Sequence, residues 1–217
     1  VLSIMDFNDF SQRISKIKNI PLPGVVSHYK MAPKERIQEL EKVFGSNRTP
    51  KKAGVMALFY PSPNNTTNML LILRTTDGGI HSNQIGFPGG KQEKKDPDLL
   101  ATALRETYEE VGVPPERLTV LRSLSHLYIP PSNFEVWPYI GLYKKQEPFV
   151  LQQSEGAALV EVPVMDFLDD KKVVKQNLTT SYAKNIDVPA FLFNGHIVWG
   201  ATAMILSEIK ELLKQVL

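Results

Sequence analysis

The sequence predicts a domain of the α/β class in which helices are layered on a mixed β-sheet. Two observations support this prediction. Apolar, strand-like runs alternate along the chain with a few amphipathic helical segments, as they do in layered α/β folds. The length of 217 residues fits one domain with a substantial core. We therefore expect a single domain over residues 1–217, with a helical N-terminal extension over 1–50 and the core of the fold over 51–217.

Helical spacing of apolar residues predicts two helices near the N-terminus and one at the C-terminus. They run from Asp6 to about Lys16, from Lys34 to about Val43, and from Ala201 to about Val216. The proline-rich segment 19–33 between the first two reads as an extended connection.

Apolar runs bounded by turn residues predict the strands of the sheet. The first two such runs are joined by the turn-rich "PSPNNTT" and predict a hairpin, and the dipeptide Asn194-Gly195 predicts a second hairpin near the C-terminus. The predicted strand segments are 53–60, 68–76, 117–129, 134–143, the start of 157–168, which continues into a short helix, and both arms of 191–200.

Composition excludes several classes of function. Without cysteine, the chain has no disulfide, thiolate metal site or thiol nucleophile. Its formal net charge of +2 is too small to indicate a nucleic-acid or membrane-surface partner. No apolar run has the length of a membrane span, and the first residues lack the pattern of a signal peptide. We expect a cytoplasmic protein.

One more predicted helix, running from Asp96-Pro97 to about Val111, carries an unusual number of acids. Asp96 and Pro97 suit the cap and first position of a helix, and Gly112 suits its end. At about 100° per residue, its residues separate into an apolar stripe and an acidic face. The stripe consists of Leu100, Leu104, Tyr108 and Val111, and the opposite face consists of Thr102, Glu106, Glu109 and Glu110.

The three glutamates predict a metal site. Like charges three and four residues apart destabilise a helix, and the helix dipole disfavours anions in its last turn. A solvated charged face is the simpler interpretation of acids on a helix. Mg²⁺ and Mn²⁺, however, prefer several oxygen ligands, and a bound cation would relieve this repulsion. A metal site is therefore the favoured interpretation.

The residues just before this helix suit a phosphate-bearing ligand. Gly86, Gly89 and Gly90 allow close approach of the backbone to a ligand, and Lys91 begins a basic loop. A permissive turn, a basic loop and a helix with three carboxylates together indicate a metal-assisted phosphate or diphosphate site.

The stretch from Gly90 to Val113 resembles the Nudix box. Residues 105–113, "RETYEEVGV", match the second half of the box throughout, with Thr107 the loosest position. The first half is one residue longer than usual, and Asp96 or Asp98 replaces the usual glutamate.

The upstream sequence is similar to the coenzyme A diphosphatase-like branch of this family. In "LILRTTDGGIHSNQIGFPGG" the chain keeps the branch residues Arg74, His81, Gln84 and the segment 87–90. It has Gly79 where the branch has a second arginine. The resemblance covers about residue 53 to the C-terminus.

The resemblance implies an α/β/α sandwich that hydrolyses the diphosphate bond of a nucleoside diphosphate derivative with Mg²⁺ or Mn²⁺. It implies that Arg105 orients a carboxylate, and that Glu155 completes the metal site or accepts a proton from the attacking water. Dimers are common among such proteins, so a homodimer is an open expectation. The implied metal ligands are Glu106, Glu109 and Glu110, and the implied substrate-binding residues are Arg74, His81, Gln84, Gly89, Gly90 and Lys91.

Three functions stay open at this point. Coenzyme A, or an acyl derivative, is the leading substrate, cleaved to 3',5'-ADP and 4'-phosphopantetheine. Because Gly79 replaces the second arginine, ADP-ribose or NADH is the alternative. A binding module without catalysis is less favoured, since such modules often lose carboxylates of the box and this chain keeps all three.

Overall fold

A computed structural model describes residues 5–43, 48–74, 84–144, 147–152, 156–180 and 183–217. The helices are α1 (Phe7–Ile14), α2 (Val25–Tyr29), α3 (Lys34–Val43), α4 (Leu99–Val111), α5 (Val164–Leu168) and α6 (Gly200–Lys214). The strands are β1 (Lys51–Pro61), β2 (Thr67–Arg74), β3 (Ile85–Gly86), β4 (Gly89–Lys91), β5 (Leu118–Ser123), β6 (Leu127–Ile129), β7 (Phe134–Tyr143), β8 (Gly156–Pro163), β9 (Val173–Leu178), β10 (Ile186–Phe193) and β11 (His196–Val198). No helix in these ranges is both long enough and apolar enough to cross a membrane.

The described strands form a mixed eight-stranded sheet and a smaller three-stranded sheet. In the larger sheet the order is β3-β2-β1-β7-β5, and β4, β6 and β8 pair with β1, β7 and β2 respectively. Strands β1 and β7 run parallel, and the other pairs are antiparallel. The smaller sheet has the order β11-β10-β9.

Helices cover both faces of the larger sheet because side chains along its central strands alternate between two apolar cores. Met56 and Leu58 of β1 pack in the core that includes Ala103 of α4. Ala57 and Phe59 point the other way, into the core that contains α6 and α1. The predicted α/β/α sandwich with a mixed sheet is confirmed.

The N-terminal segment shares the second of these cores. Phe7, Phe10 and Ile14 of α1 are buried there with residues of the sheet and of α6. The guanidinium of Arg122 on β5 donates from Nη1 to the carbonyl oxygens of Ile17 and Ile20, at 2.6 Å each. These bonds fix the chain between α1 and α2 on the edge of the sheet.

A buried carboxylate joins the N-terminal segment to α6. Glu208 on α6 is fully buried and accepts hydrogen bonds from the backbone N–H of Gly24 (3.0 Å) and from the N–H and hydroxyl of Ser125 (3.1 and 2.6 Å). Its Oε2 also lies 3.3 Å from Nε2 of His28, which is buried as well. Burial alone raises the pKa of Glu208, but the bonds from His28 and Ser125 outweigh it and leave this pKa below its usual value.

Most predicted elements are present at the predicted places. Helices α1, α3 and α6 begin and end within two residues of their predicted bounds, and the β1–β2 hairpin is antiparallel as expected. The β10–β11 turn has positive φ at Asn194 (49°) and Gly195 (81°), which is the backbone that the Asn-Gly pair favours.

Several elements differ from prediction, among them the short strands β3 and β4, which are not predicted. The segment 19–33 contains helix α2, so its prediction as wholly extended is wrong. The strand predicted over 117–129 is two strands, β5 and β6, that pair with the same strand β7. Strand β9 is not predicted, because its side chains are exposed or only partly buried and none of them belongs to either apolar core.

Replacing Gly54 on β1 with alanine is expected to lower the free energy of unfolding by about 3 kcal/mol, because the new methyl group would overlap α4. A Cβ at this position would lie 2.3 Å from the carbonyl oxygen of Leu99 and 2.9 Å from the backbone nitrogen of Ala103. Urea denaturation measures the change. Gly86→Ala is the control, since its Cβ would come no closer than 3.4 Å to Nε of Arg74. An equal effect of both substitutions would contradict the clash.

Candidate active site

Helix α4 begins two residues later than predicted. Its N-cap is Asp98, whose carboxylate accepts from the backbone N–H of Ala101 at 2.7 Å, and Gly112 ends it with a φ of 75°. The prediction of Asp96 as the cap is therefore wrong. Asp96 is buried, and it serves as an ion-pair partner of Arg105.

The face that α4 buries is rotated from the predicted apolar stripe. Tyr108 is 54% exposed, whereas Glu110 is only 3% exposed. The reason is the close approach of the helix to Gly54 of β1, which small residues such as Ala103 permit and large ones would prevent. The acidic side of α4 is thus turned partly toward the sheet, beneath residues 86–90, the glycine turn.

Arg105 connects the acids of the site through its five N–H donors, each of which has an acceptor. Nε and Nη2 donate to the two carboxylate oxygens of Asp96, both at 2.9 Å. Nη1 donates to Glu106 (2.9 Å) and to Glu109 (2.7 Å), and Nη2 also donates to the carbonyl oxygen of Lys91 (3.2 Å). Arg105 therefore holds the carboxylates of Glu106 and Glu109, two of the three residues predicted to bind metal.

The ion pair between Asp96 and Arg105 lowers the pKa of the carboxyl group and raises the pKa of the guanidinium, so the charged form of each is favoured. Hydrogen bonds from Arg105 hold the pKa of Asp96 well below its usual range, although burial acts to raise it. The bonds to Asp96 raise the pKa of Arg105 in turn, against the effect of burial. The pair is therefore ionised at neutral pH.

Asp96→Asn is expected to lower the free energy of unfolding at pH 7 by about 2 kcal/mol, since the guanidinium of Arg105 loses a bidentate carboxylate. The pKa of Asp96 is lower in the folded protein than in the unfolded one, where it is about 4. The ionised carboxylate therefore stabilises the fold fully above about pH 4, and this stabilisation is lost as the pH falls below that value. The difference between wild type and variant should therefore shrink from pH 4 downward, measured by urea denaturation with EDTA present.

Asp98→Asn is the matched control for this pH dependence, because asparagine caps a helix about as well as aspartate. Its difference from wild type should stay small at every pH. A difference for Asp96→Asn that is constant from pH 7 to pH 2 would show that the charge of Asp96 is not what stabilises the fold.

Two glycines bring the backbone of β4 against the carboxylates of α4. The N–H of Gly89 donates to Oε2 of buried Glu110 at 2.8 Å. Gly89 has a φ of 148°, and a Cβ there would lie 2.4 Å from the carbonyl oxygen of Gly54. A Cβ on Gly90 would lie 2.6 Å from the carboxyl carbon of Glu106. Gly89 therefore requires glycine, whereas the missing side chain at Gly90 leaves room for the carboxylate of Glu106.

The carboxylates fit a hard divalent cation. Glu106 and Glu109 converge on one atom, Nη1 of Arg105, so this nitrogen marks a point that two carboxylate oxygens already surround. All the donors are oxygens, which suits Mg²⁺ or Mn²⁺. Within the described residues no three acidic or histidine side chains are yet gathered as a ligand set. The reason is that Arg105 lies between Glu106 and Glu109 and that Glu110 bonds to the turn.

A cavity of about 430 Å³ lies on the other side of the glycine turn. Of the residues predicted to bind substrate, Arg74, Gln84, Gly89, Gly90 and Lys91 line it. Nη2 of Arg74 donates to the carbonyl oxygen of Gly89 at 2.9 Å, and the backbone N–H of Arg74 donates to the carbonyl oxygen of Gln84 at 3.0 Å. The structure therefore brings these five residues together at one wall.

The remaining predicted site residues, His81 and Glu155, lie outside the described residues. Gly156, which follows Glu155, begins β8 and pairs with Arg74 at the end of β2. The backbone N–H of Gln152 donates to the carbonyl oxygen of Glu110 at 3.0 Å. Described residues on either side of Glu155 thus adjoin the strand and the helix of the site.

Several residues that line the cavity are not predicted from the sequence. Arg36 comes from α3, and Trp199 and Thr202 come from the start of α6. The hydroxyl of Thr202 donates to the carbonyl oxygen of Ile85 at 2.9 Å and so ties α6 to the glycine turn. No local motif marks these residues. Only the folding of distant segments onto the turn brings them to the cavity.

The fold and site together define a class of protein: a hydrolase of pyrophosphate bonds, with a glycine turn lying on a helix of glutamates. A sequence model of the NUDIX domain matches residues 50–180. The chain belongs to the Nudix family and is a Nudix hydrolase. Members of this family generally use divalent cations.

Relatives of similar length support this membership. The chain is 36% identical to a Nudix hydrolase of Pectobacterium atrosepticum, NudL, described as uncharacterized, over 151 residues that cover 66% of this chain and 74% of the relative. The NudL of Yersinia pestis is 32% identical over 165 residues, which cover 75% and 80% of the two chains.

Solved structures show the same fold at low sequence identity. A Nudix hydrolase from M. smegmatis has a TM-score of 0.52 at 15% identity, covering 77% of this chain and 88% of its own. A MutT protein from Methanosarcina mazei has a TM-score of 0.50 at 14% identity, covering 76% and 96%.

Proposed function

We propose that the protein hydrolyses the diphosphate bond of coenzyme A or acyl-coenzyme A to 3',5'-ADP and 4'-phosphopantetheine or its acyl form. The observation that carries the proposal is the cavity at the glycine turn. Among the described residues that line it, three are positively charged and none is acidic. The three are Arg36, Arg74 and Lys91. Such a lining suits a substrate with several phosphates, and the branch-like residues 74–90 favour coenzyme A.

In this proposal Glu106, Glu109 and Glu110 hold Mg²⁺ or Mn²⁺. When bound, the cations polarise the diphosphate and lower the pKa of an attacking water. Arg105 positions Glu106 and Glu109, and Glu110 positions the turn through the N–H of Gly89.

Further residues complete the proposed site. Arg74, His81, Gln84, Gly90 and Lys91 contact the substrate diphosphate, and Gly89 presents its backbone beside them. Glu155 accepts the proton of the attacking water or completes the metal site. The support for Arg74 is its place at the cavity and its bond to Gly89.

Identification of products by mass spectrometry tests the proposal. Purified protein is incubated with Mg²⁺ or Mn²⁺ and with coenzyme A, acetyl-coenzyme A, ADP-ribose and NADH as separate substrates. We expect 3',5'-ADP and 4'-phosphopantetheine from coenzyme A, and no product in EDTA. Faster cleavage of ADP-ribose or NADH than of coenzyme A would overturn the substrate assignment.

A further inference from the structure

One part of the cavity wall is made by the N-terminal segment. Met31, Ala32 and Pro33, between α2 and α3, and Arg36, in the first turn of α3, line it. The NUDIX domain match begins at residue 50, so this wall lies outside the part of the chain that defines the family. Features of substrate choice that are particular to this chain are therefore expected on this wall.

Arg36 is an unusual residue for such a wall. It is only 6% exposed, and arginine is rarely buried unless its charge is compensated. Its Nη1 lies 2.7 Å from Oε2 of Glu39, one turn further along α3, and this ion pair holds the guanidinium in place. Glu39 is not among the described residues that line the cavity, whereas Arg36 is. Arg36 therefore brings a positively charged residue to the lining of the cavity, whereas its partner Glu39 is not part of that lining.

The cations of the cavity come from separate elements. Arg74 and Lys91 are on β2 and β4, next to the glycine turn, where the diphosphate is proposed to bind. Arg36 is on α3, which is no part of the sheet. The lining also includes the apolar side chains of Ile129, Phe134 and Met204. The cavity thus combines an apolar lining with positively charged residues from separate elements of the fold.

We propose that Arg36 is a specificity-determining residue that binds a second phosphate of the substrate, separate from the diphosphate that is cleaved. The inference rests on the proposed function, because it assumes that the diphosphate binds at the glycine turn. The planar guanidinium suits two parallel hydrogen bonds to one phosphate. Such a residue favours coenzyme A, which carries a 3'-phosphate, over dephospho-coenzyme A, which lacks that group alone.

Kinetics on this matched pair of substrates test the assignment. With wild type we expect a KM for coenzyme A roughly tenfold or more below that for dephospho-coenzyme A, since a charge-assisted hydrogen bond contributes at least that factor. Arg36→Gln should remove the difference by raising the KM for coenzyme A alone, with kcat unchanged. Arg36→Lys should retain part of the preference, because lysine keeps the positive charge but lacks the planar N–H donors that bind a phosphate through two parallel hydrogen bonds.

The control is Lys34→Gln, which removes a cation from an exposed position on the same helix. It should leave both KM values unchanged, and melting temperatures of all variants report folding. Equal losses on both substrates in Arg36→Gln would show a merely structural role and overturn the assignment.

A binding experiment decides the question even where coenzyme A is not the substrate. Calorimetry without metal compares adenosine 3',5'-bisphosphate with adenosine 5'-monophosphate on wild type and Arg36→Gln. A wild-type preference for the bisphosphate that Arg36→Gln abolishes supports the inference, whatever substrate is hydrolysed. An absent preference, or one that survives Arg36→Gln, overturns it. Failure to hydrolyse coenzyme A, by contrast, overturns only the proposed function.

Discussion

Glu110→Gln is expected to lower kcat/KM on the order of a thousandfold while leaving the fold intact, because it removes a proposed metal ligand without changing its size. Glu110 is 3% exposed and accepts a hydrogen bond from the N–H of Gly89 at 2.8 Å. The amide oxygen of glutamine can accept the same bond, so the glycine turn should keep its position. Steady-state kinetics at several Mn²⁺ concentrations, with circular dichroism of the variant, measure the effect.

Glu116→Gln serves as its control, since it removes the same charge from an exposed position shortly after α4. It should retain wild-type kcat/KM and the same dependence on Mn²⁺. If Glu110→Gln is as active as Glu116→Gln, Glu110 does not hold a catalytic cation, and the assignment of the three glutamates has to be revised.

Gly90→Ala is expected to reduce kcat about a hundredfold with little loss of stability. The added methyl would lie 2.6 to 2.7 Å from the carboxylate of Glu106, and this carboxylate must therefore move. Because the group that yields is the end of a flexible side chain, the fold should tolerate the change. A displacement of a catalytic group by about 1 Å costs on the order of a hundredfold in rate. Kinetics and thermal melting measure the two effects separately.

Two comparisons test this explanation. Gly89→Ala should instead unfold the protein at a lower temperature, because its φ of 148° disfavours alanine and its Cβ would overlap the backbone of β1. Gly90→Ala combined with Glu106→Gln should be no worse than Glu106→Gln alone, since both changes act on one carboxylate. Additive losses in the double variant would contradict an effect through Glu106.

The sequence predicts those elements whose local pattern is enough to define them. The central parts of the β1–β2 hairpin strands are apolar because both their faces are buried, and the ends of α1 and α6 follow from helical spacing. Helix α2 is missed because it has only five residues and lies among prolines. Strand β9 is missed because it is held by pairing with β10, while its side chains are exposed or only partly buried.

The same distinction applies to the site: residues within a local motif are predicted, and residues brought in from distant segments are not. The glycine turn and the acids of α4 are adjacent in sequence, so their motif is enough to indicate a site. The true cap of α4 is not predicted, because Asp96 and Asp98 are equally good caps and only the bond from Arg105 distinguishes them. Arg36 is not predicted because its place at the cavity depends on contacts between distant segments.

The carboxylate of Glu208 has a consequence for any shortened version of the chain. Removing the first thirty residues would delete Gly24 and His28, two of the described hydrogen-bond partners of Glu208. Of these partners only Ser125 would remain beside the fully buried carboxylate. An underbonded buried carboxylate is costly, so α6 would be expected to shift or loosen. Since the first turn of α6 borders the cavity beside the glycine turn, trimming the N-terminus to the family core is expected to disturb this cavity from the opposite end of the polypeptide.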